Sequence, residues 1–199
     1  EGGILASVVP ELRTVIADAA RQMTGKEFLV VGAGLKTGLD IRIDNPAQLG
    51  ADRVVDAVAA LAAYDPPLVI FDMGTATTMS VVGKNGAHLG GMIMPGLRTS
   101  VDALSARAAQ LPYIHLEAPP RVIGTNTVDC MQAGAIYGSA CMLDGLIGRV
   151  EEALGEKVTA VATGGLMAVV HPYCKREIHY EPNLLLKGLH LLYEKNRKA

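Results

Sequence analysis

The chain has little that would mark it for nucleic acid, a membrane or the cell exterior. Its 18 Lys and Arg against 20 Asp and Glu leave a net charge of −2. There is no basic stripe of the kind a phosphate backbone attracts, so no nucleic-acid partner is expected. No apolar run approaches a membrane span: LVIF at 68–71 and VTAVA at 158–162 are strand-length and end near Gly or Pro, so no membrane partner is expected. Cys130, Cys141 and Cys174 form neither an even set nor a Cys-x-x-Cys pair. A disulfide framework and a zinc site therefore both lack a basis, and a reducing cytoplasm is the expected location. The first ten residues, EGGILASVVP, carry neither the charged start nor the cleavage site of a signal peptide and begin with Glu, so the sequence reads as cut rather than targeted. The histidines at 88, 115, 171, 179 and 190 show no HExxH spacing, which is the pattern of structural or solvated histidines. Neither a GxxxxGK loop nor a GxSxG elbow occurs, which removes P-loop nucleotide enzymes and α/β-hydrolases. Short tandem repeats and low-complexity tracts are also missing.

What is present is a chain of 199 residues, half of them apolar, long enough to bury a sizeable core in one domain or two small ones. ILASVV at 4–9 reads as a buried strand ending at Pro10, and residues 11–23 repeat apolar side chains at helical spacing. EFLVVGAG at 27–34 is a second strand, and 34–46 is turn-rich with a short extended piece at IRI. ADRVVDAVAALAAY at 51–64 is an Ala-rich helix with Val54, Val55, Val58, Leu61 and Ala62 on one face. It stops before Pro66-Pro67, where a domain boundary is expected. Beyond it, residues 67–96 predict a meander of three strands, with Lys84-Asn85-Gly86 supplying a hairpin signal. A helix over 97–110, a Pro-rich connection, a long helix from Thr127 to about Leu154, a strand at VTAVATGG and an amphipathic closing helix over 183–197 complete the pattern. Three antiparallel strands, then helices, then a strand and a helix give an α/β layout that repeated βαβ units do not.

The clearest candidate site is Asp72-Met73-Gly74-Thr75-Ala76-Thr77-Thr78, set between two strands. A carboxylate at a strand end can hold a cation, Gly allows a close backbone approach, and hydroxyls with amides can donate to phosphate oxygens. The same composition also makes an ordinary polar turn. Gly50-Ala51-Asp52-Arg53 sits where a loop becomes a helix, so Asp52 is either a first-turn acid favoured by the helix dipole or a base facing a cleft. Arg53 either steadies an anion or faces solvent. Gly124-Thr125-Asn126-Thr127 offers an N-cap or a polar-ligand site ahead of the long helix. Thr163-Gly164-Gly165 makes either room for a nucleoside or a tight turn.

Taken together, GLKTGLDIRIDNPAQLGADRVVDAV, FDMGTATTMSVV, GGMIMPGL, LPYIHLEAPPRVIGTNTVDCMQAGAIYG and ATGGL resemble, in order and spacing, the successive motifs of type III pantothenate kinases. The resemblance implies a ribonuclease-H-like, actin-like ATPase fold of two similar domains. It divides the chain into 1–65, the remainder of a first domain without its N-terminal strands, and 66–199, the second. It implies ATP-dependent phosphorylation of pantothenate, the first step of coenzyme A synthesis, with a monovalent cation (potassium or ammonium) and magnesium. By motif position, Asp52 resembles the family's general base, Gly50, Ala51, Asp52 and Arg53 part of its pantothenate site, Asp72 its monovalent-cation ligand, Thr75 its ATP contact and Thr127 a pantothenate contact. It also implies a homodimer with the substrate site at the interface. Two departures stand out: nothing precedes EGGILASVVP where the family's first phosphate loop is expected, and Ile43 stands where the family often has a tyrosine. The alternatives are a non-catalytic relative acting as a binding or transcriptional accessory protein, and a kinase of the same fold for a sugar or short acid.

Overall fold

The computed structural model describes residues 2–197. Contacts within the chain gather these into two compact units. The first contains the described residues up to Leu68, then Val82–Gly90, and those from Asn183 on; the second contains Val69–Val81 and Gly91–Pro182.

In the first unit, β1 (Gly3–Leu5) pairs in parallel with β2 (Phe28–Val30). The expected strand over 4–9 ends early because the Ser7 hydroxyl accepts from Val9 N–H at 3.1 Å and donates to Val9 O at 3.0 Å, a local bond that competes with the ladder. Between these strands runs α1 (Pro10–Thr24), with Pro at its first position and Gly25 in the left-handed region donating to Arg21 O at 2.8 Å. After a loop and a single 3-10 turn over Pro46–Gln48, α2 (Ala51–Ala63) buries Val54, Val55, Ala57 and Ala60. Ala62, expected on the same face, is exposed. Packed on α2 is the closing helix α6 (Leu184–Asn196). Gly188 lets the two backbones touch, since a Cβ there would collide with the Val55 carbonyl. Val31, Val55 and Leu192 form this unit's buried centre.

The frame of the second unit is a sheet in the order β5-β4-β3-β6-β7. It comprises β3 (Leu68–Met73), β4 (Ala76–Val82), β5 (His88–Pro95), β6 (Thr159–Thr163) and β7 (His179–Tyr180). The Lys84-Asn85-Gly86 turn closes the β4–β5 hairpin: Gly86 adopts φ +78° and donates to Gly83 O at 2.8 Å. Helix α3 (Leu97–Arg107) follows, then α4 (Thr127–Leu154), whose Met131, Ile136, Ala140, Leu143, Ile147 and Val150 make a buried stripe against Phe71, Met73 and Met79. Apart from Ala140, each such side chain contributes on the order of 2 kcal/mol by leaving water. Short α5 (Met167–Val170), a four-residue apolar run, and β7, in a polar stretch, were not expected from the sequence. β7 exists because β6 offers it a parallel edge, pairing Val161 with His179 and Ala162 with Tyr180.

Candidate active site

The path to α2 is set residue by residue. Asn45 accepts from Ala47 N–H at 3.2 Å and starts the 3-10 turn. Gly50 then caps α2 with an extended backbone (φ −56°, ψ 142°). A Cβ at Gly50 would collide with the carboxylate of Asp52, so glycine there makes room for that side chain. Asp52 Oδ1 accepts from Arg53 N–H at 2.8 Å. An acid so placed is favoured by the helix dipole and is also held in one orientation.

The half-buried Arg53 donates from Nη2 to Gly90 O at 3.4 Å. Burial pushes its pKa below the usual value, and the Asp52 charge works against that shift. Gly90 adopts φ +137°, a backbone state closed to most side chains, and this aims its carbonyl. Nearby, His88 is fully buried with neither ring nitrogen hydrogen-bonded. Burial and then the Arg53 charge push its pKa down to about 4, so the imidazole is neutral at ordinary pH. Its backbone is tied on both sides: His88 N–H donates to Asp40 O at 2.7 Å, and Arg42 N–H donates to His88 O at 2.8 Å. Gly50 and Ala51, with Leu35, Thr37, Ile41 and Leu49, line a cavity of about 770 Å³. Ile43 is half-buried.

In the second unit, Asp72 is the half-buried penultimate residue of β3. Gly74 N–H donates to Ala76 O at 3.1 Å, closing the two-residue turn into β4 and leaving Thr75 exposed. This turn is held by backbone. Thr75 O accepts from Gly96 N–H at 3.1 Å and from the Thr99 hydroxyl at 2.9 Å. A Cβ at Gly96 would come within 2.5 Å of Gly74 O and 2.6 Å of the Thr75 carbonyl carbon. On the other side Gly164, at φ +97°, lies so close that a Cβ would meet the Met73 backbone at 2.6 Å. Gly164 therefore serves the tight approach of β6 to this turn.

Thr127 is the exposed first residue of α4. The cap itself is Asn126, which accepts from Asp129 N–H at 2.9 Å. Asn126 and Thr127, with Gly124, Thr125 and the α3 residues Ser100 and Val101, line a second cavity, of about 760 Å³. One turn further along α4, buried Gln132 donates to His115 O and to Glu117 Oε1, both at 3.2 Å, and so fastens the Pro-rich connection.

Residues 1–149 match the family described as type III pantothenate kinase. The chain belongs to the type III pantothenate kinase family. Members from Moorella thermoacetica and from an Exiguobacterium species are each 45% identical to it, over 98% and 100% of this chain and 77% and 78% of theirs. Among solved structures, a Baf family protein from Campylobacter jejuni superposes with a TM-score of 0.65 at 21% identity, covering 98% of this chain and 83% of that one. The ethanolamine utilization protein EutJ of Carboxydothermus hydrogenoformans reaches 0.50 at 14% identity, covering 96% and 64%. The fold is α/β with a mixed sheet, and it is shared with these two structures.

Gly50, Ala51, Asp52 and Arg53, the residues that resemble the pantothenate kinase acid and its neighbours, lie together in the first unit. Asp72, Thr75 and Thr127 lie in the second: Asp72 near the end of β3, Thr75 on the turn that follows it and Thr127 on a cavity wall. Motif reading assigned no role to Gly96, Gln132, His88 or Gly90. Gly96 and Gln132 were visible as motif letters, GGMIMPGL and GTNTVDCMQAG, but their work is done through contacts between distant segments. Among the described residues no three His, Cys, Asp or Glu side chains converge on a metal-sized site. No helix among them is long and apolar enough to cross a membrane.

Proposed function

We propose that the protein transfers the terminal phosphoryl group of ATP to the hydroxyl of pantothenate, giving 4′-phosphopantothenate and ADP at the first step of coenzyme A synthesis. The observation that carries this reading is the GADR turn, Gly50–Arg53, with Asp52 held by Arg53 N–H beside a cavity of substrate size, in a chain that belongs to the type III family. Phosphoryl transfer asks a protein mainly for positioning, charge neutralisation and one acceptor for the hydroxyl proton.

Asp52 takes that proton as the substrate oxygen attacks phosphorus. Arg53, restrained by Gly90 O, and the Gly50–Ala51 backbone bind pantothenate, and Thr127 contributes from the start of α4. Thr75, exposed on a turn clamped by Gly96 and Gly164, contacts ATP. Half-buried Asp72 offers an oxygen donor beside that turn, which fits a hard monovalent cation such as potassium or ammonium. When bound, that ion supplies positive charge near the phosphates, where a P-loop enzyme uses lysine. Magnesium arrives with the nucleotide. We further assign residues 1–65 and 66–199 to the two actin-like domains, and place the protein in the cytoplasm as a homodimer with the substrate site at the subunit interface.

The test is transfer of radiolabelled phosphate from ATP to pantothenate by the full-length protein. Asp52→Asn is expected to lower kcat about 10²–10⁴-fold while leaving the melting temperature nearly unchanged. Undiminished turnover in that variant, or no transfer to pantothenate by the wild type, rejects the reading.

A further inference from the structure

The loop over residues 34–38 leads into the candidate substrate segment, and its own sequence, GLKTG, offers few local bonds to hold it still. Gly34 and Gly38 both adopt positive φ, +89° and +78°. Its restraint comes from the far end of the chain. The half-buried Asn196, in the last turn of α6, closes a ring with Lys36: Lys36 N–H donates to Asn196 Oδ1 at 2.9 Å, and Asn196 Nδ2 donates to Lys36 O at 2.9 Å. Asn196 is itself oriented by a third bond, from Nδ2 to Leu192 O at 2.9 Å. Next to it, Lys195 Nζ donates to Thr37 O at 3.1 Å. Within the loop, the Thr37 hydroxyl accepts from Leu39 N–H at 3.2 Å.

The same helix also positions the opposite wall. α6 lies on α2, with Gly188 against the Val55 carbonyl, one turn beyond Asp52 and Arg53. Leu35 and Thr37 from the loop, and Gly50 and Ala51 from the start of α2, line the one cavity of about 770 Å³. A single element, α6, thus touches both the loop and the helix that line this cavity.

We infer that α6 acts as the brace of the pantothenate cavity and that Asn196 is a positioning residue for substrate binding, acting through the 36–38 loop. This rests on the functional reading above. Asn196 touches no reacting atom, so its loss should weaken pantothenate binding and spare both the chemical step and ATP. An asparagine suits the task because its amide carries a donor and an acceptor side by side, which match the N–H and C=O of the single residue Lys36. Aspartate in its place keeps the acceptor for Lys36 N–H and loses the donor to Lys36 O.

The experiment pairs steady-state kinetics of full-length wild type, Asn196→Ala and Asn196→Asp with amide hydrogen exchange of the 34–39 segment. Asn196→Ala is expected to speed exchange in that segment and to raise KM for pantothenate about five-fold or more, with kcat and KM for ATP within about two-fold. Asn196→Asp is expected to fall between the two. Unchanged exchange in both variants overturns the brace. Faster exchange with an unchanged KM for pantothenate overturns its role in binding. Equal losses in both KM values and in kcat reduce Asn196 to general stability and also overturn it. If Asn196→Ala does not fold, the Asn196→Asp comparison decides alone. A wild type that transfers no phosphate to pantothenate defeats the functional reading itself, and is told apart because the defect is present before any substitution.

Discussion

At the scale of single residues, the first unit contains a side chain whose cost depends on pH. His88 is fully buried without a partner for either ring nitrogen, and its folded-state pKa is about 4 against an ordinary 6.5. Between those values the unfolded chain holds a proton that the folded protein refuses, so stability rises with pH across that window and is lost as pH falls through it. The amount is at most about 3 kcal/mol. Urea titrations at pH 7 and pH 5 should show a clear drop in the wild type, and a smaller one in His88→Leu. An equal drop in both would show that the buried imidazole is not its source. A Leu also removes the buried unpaired nitrogens, so its stability at pH 7 should not fall by the amount normally lost with a buried polar network.

At the scale of elements, the second unit is fastened internally by two different means. The Asp72–Thr75 turn is located by glycine backbones. Gly96→Ala places a Cβ within 2.5 Å of Gly74 O, and relief requires the turn or the start of α3 to move. A cost of about 1–3 kcal/mol is expected, together with a raised KM for ATP if Thr75 moves; a melting temperature and KM both equal to wild type would contradict this. At the other end of α4 the fastening is ionic. Glu151 receives Arg176 Nη2 at 2.6 Å and Lys157 Nζ at 3.0 Å, and Asp144 receives the backbone N–H groups of Lys175 and Arg176 at 2.8 and 2.9 Å. These bonds tie the segment before β7 to the helix. The bond from Arg176, reinforced by Lys157, holds the Glu151 carboxyl at about 2, far below its usual range. A carboxylate with a depressed pKa contributes stability that is complete above about 4.5 and is lost as pH falls toward 2. Glu151→Gln should therefore lower the melting temperature at pH 7 and narrow its gap to the wild type near pH 3. A gap independent of pH would place the effect in packing rather than charge.

For the whole molecule, the proposed cation at Asp72 connects ligand binding to activity. Replacing potassium by tetramethylammonium, which is too large for an oxygen-lined site, should reduce turnover in the wild type, and Asp72→Asn should lose its dependence on potassium. Persistence of that dependence in Asp72→Asn would move the cation elsewhere. The proposed homodimer predicts a sedimentation mass twice that of one chain at micromolar concentration.

The periodicities by themselves located most of this fold. The α2 and α4 spans follow from apolar spacing bounded by Gly50, the Pro pair, Asn126 and Gly155, and the β3–β5 strands follow from β-rich runs bounded by Gly74 and Asn85-Gly86. These are local signals, each strong enough to survive whatever packs around it. The family was legible too, because GADR, the Asp-x-Gly-Thr turn and the Asn-Thr cap are short motifs whose spacing the chain preserves. The early end of β1, the presence of β7 and α5, and the burial of His88 were not legible, because each depends on a neighbour distant in sequence. The same holds for the residues that fix the candidate site in place. Gly96 and Gly164 press on the Asp72 turn from segments some twenty and ninety residues away, and Asn196 reaches a loop 160 residues before it. Sequence determined which chemical groups are present and on which elements they sit. Tertiary structure alone decided what holds those groups still, because a hydrogen bond or a close backbone approach between distant segments leaves no periodic trace in either one.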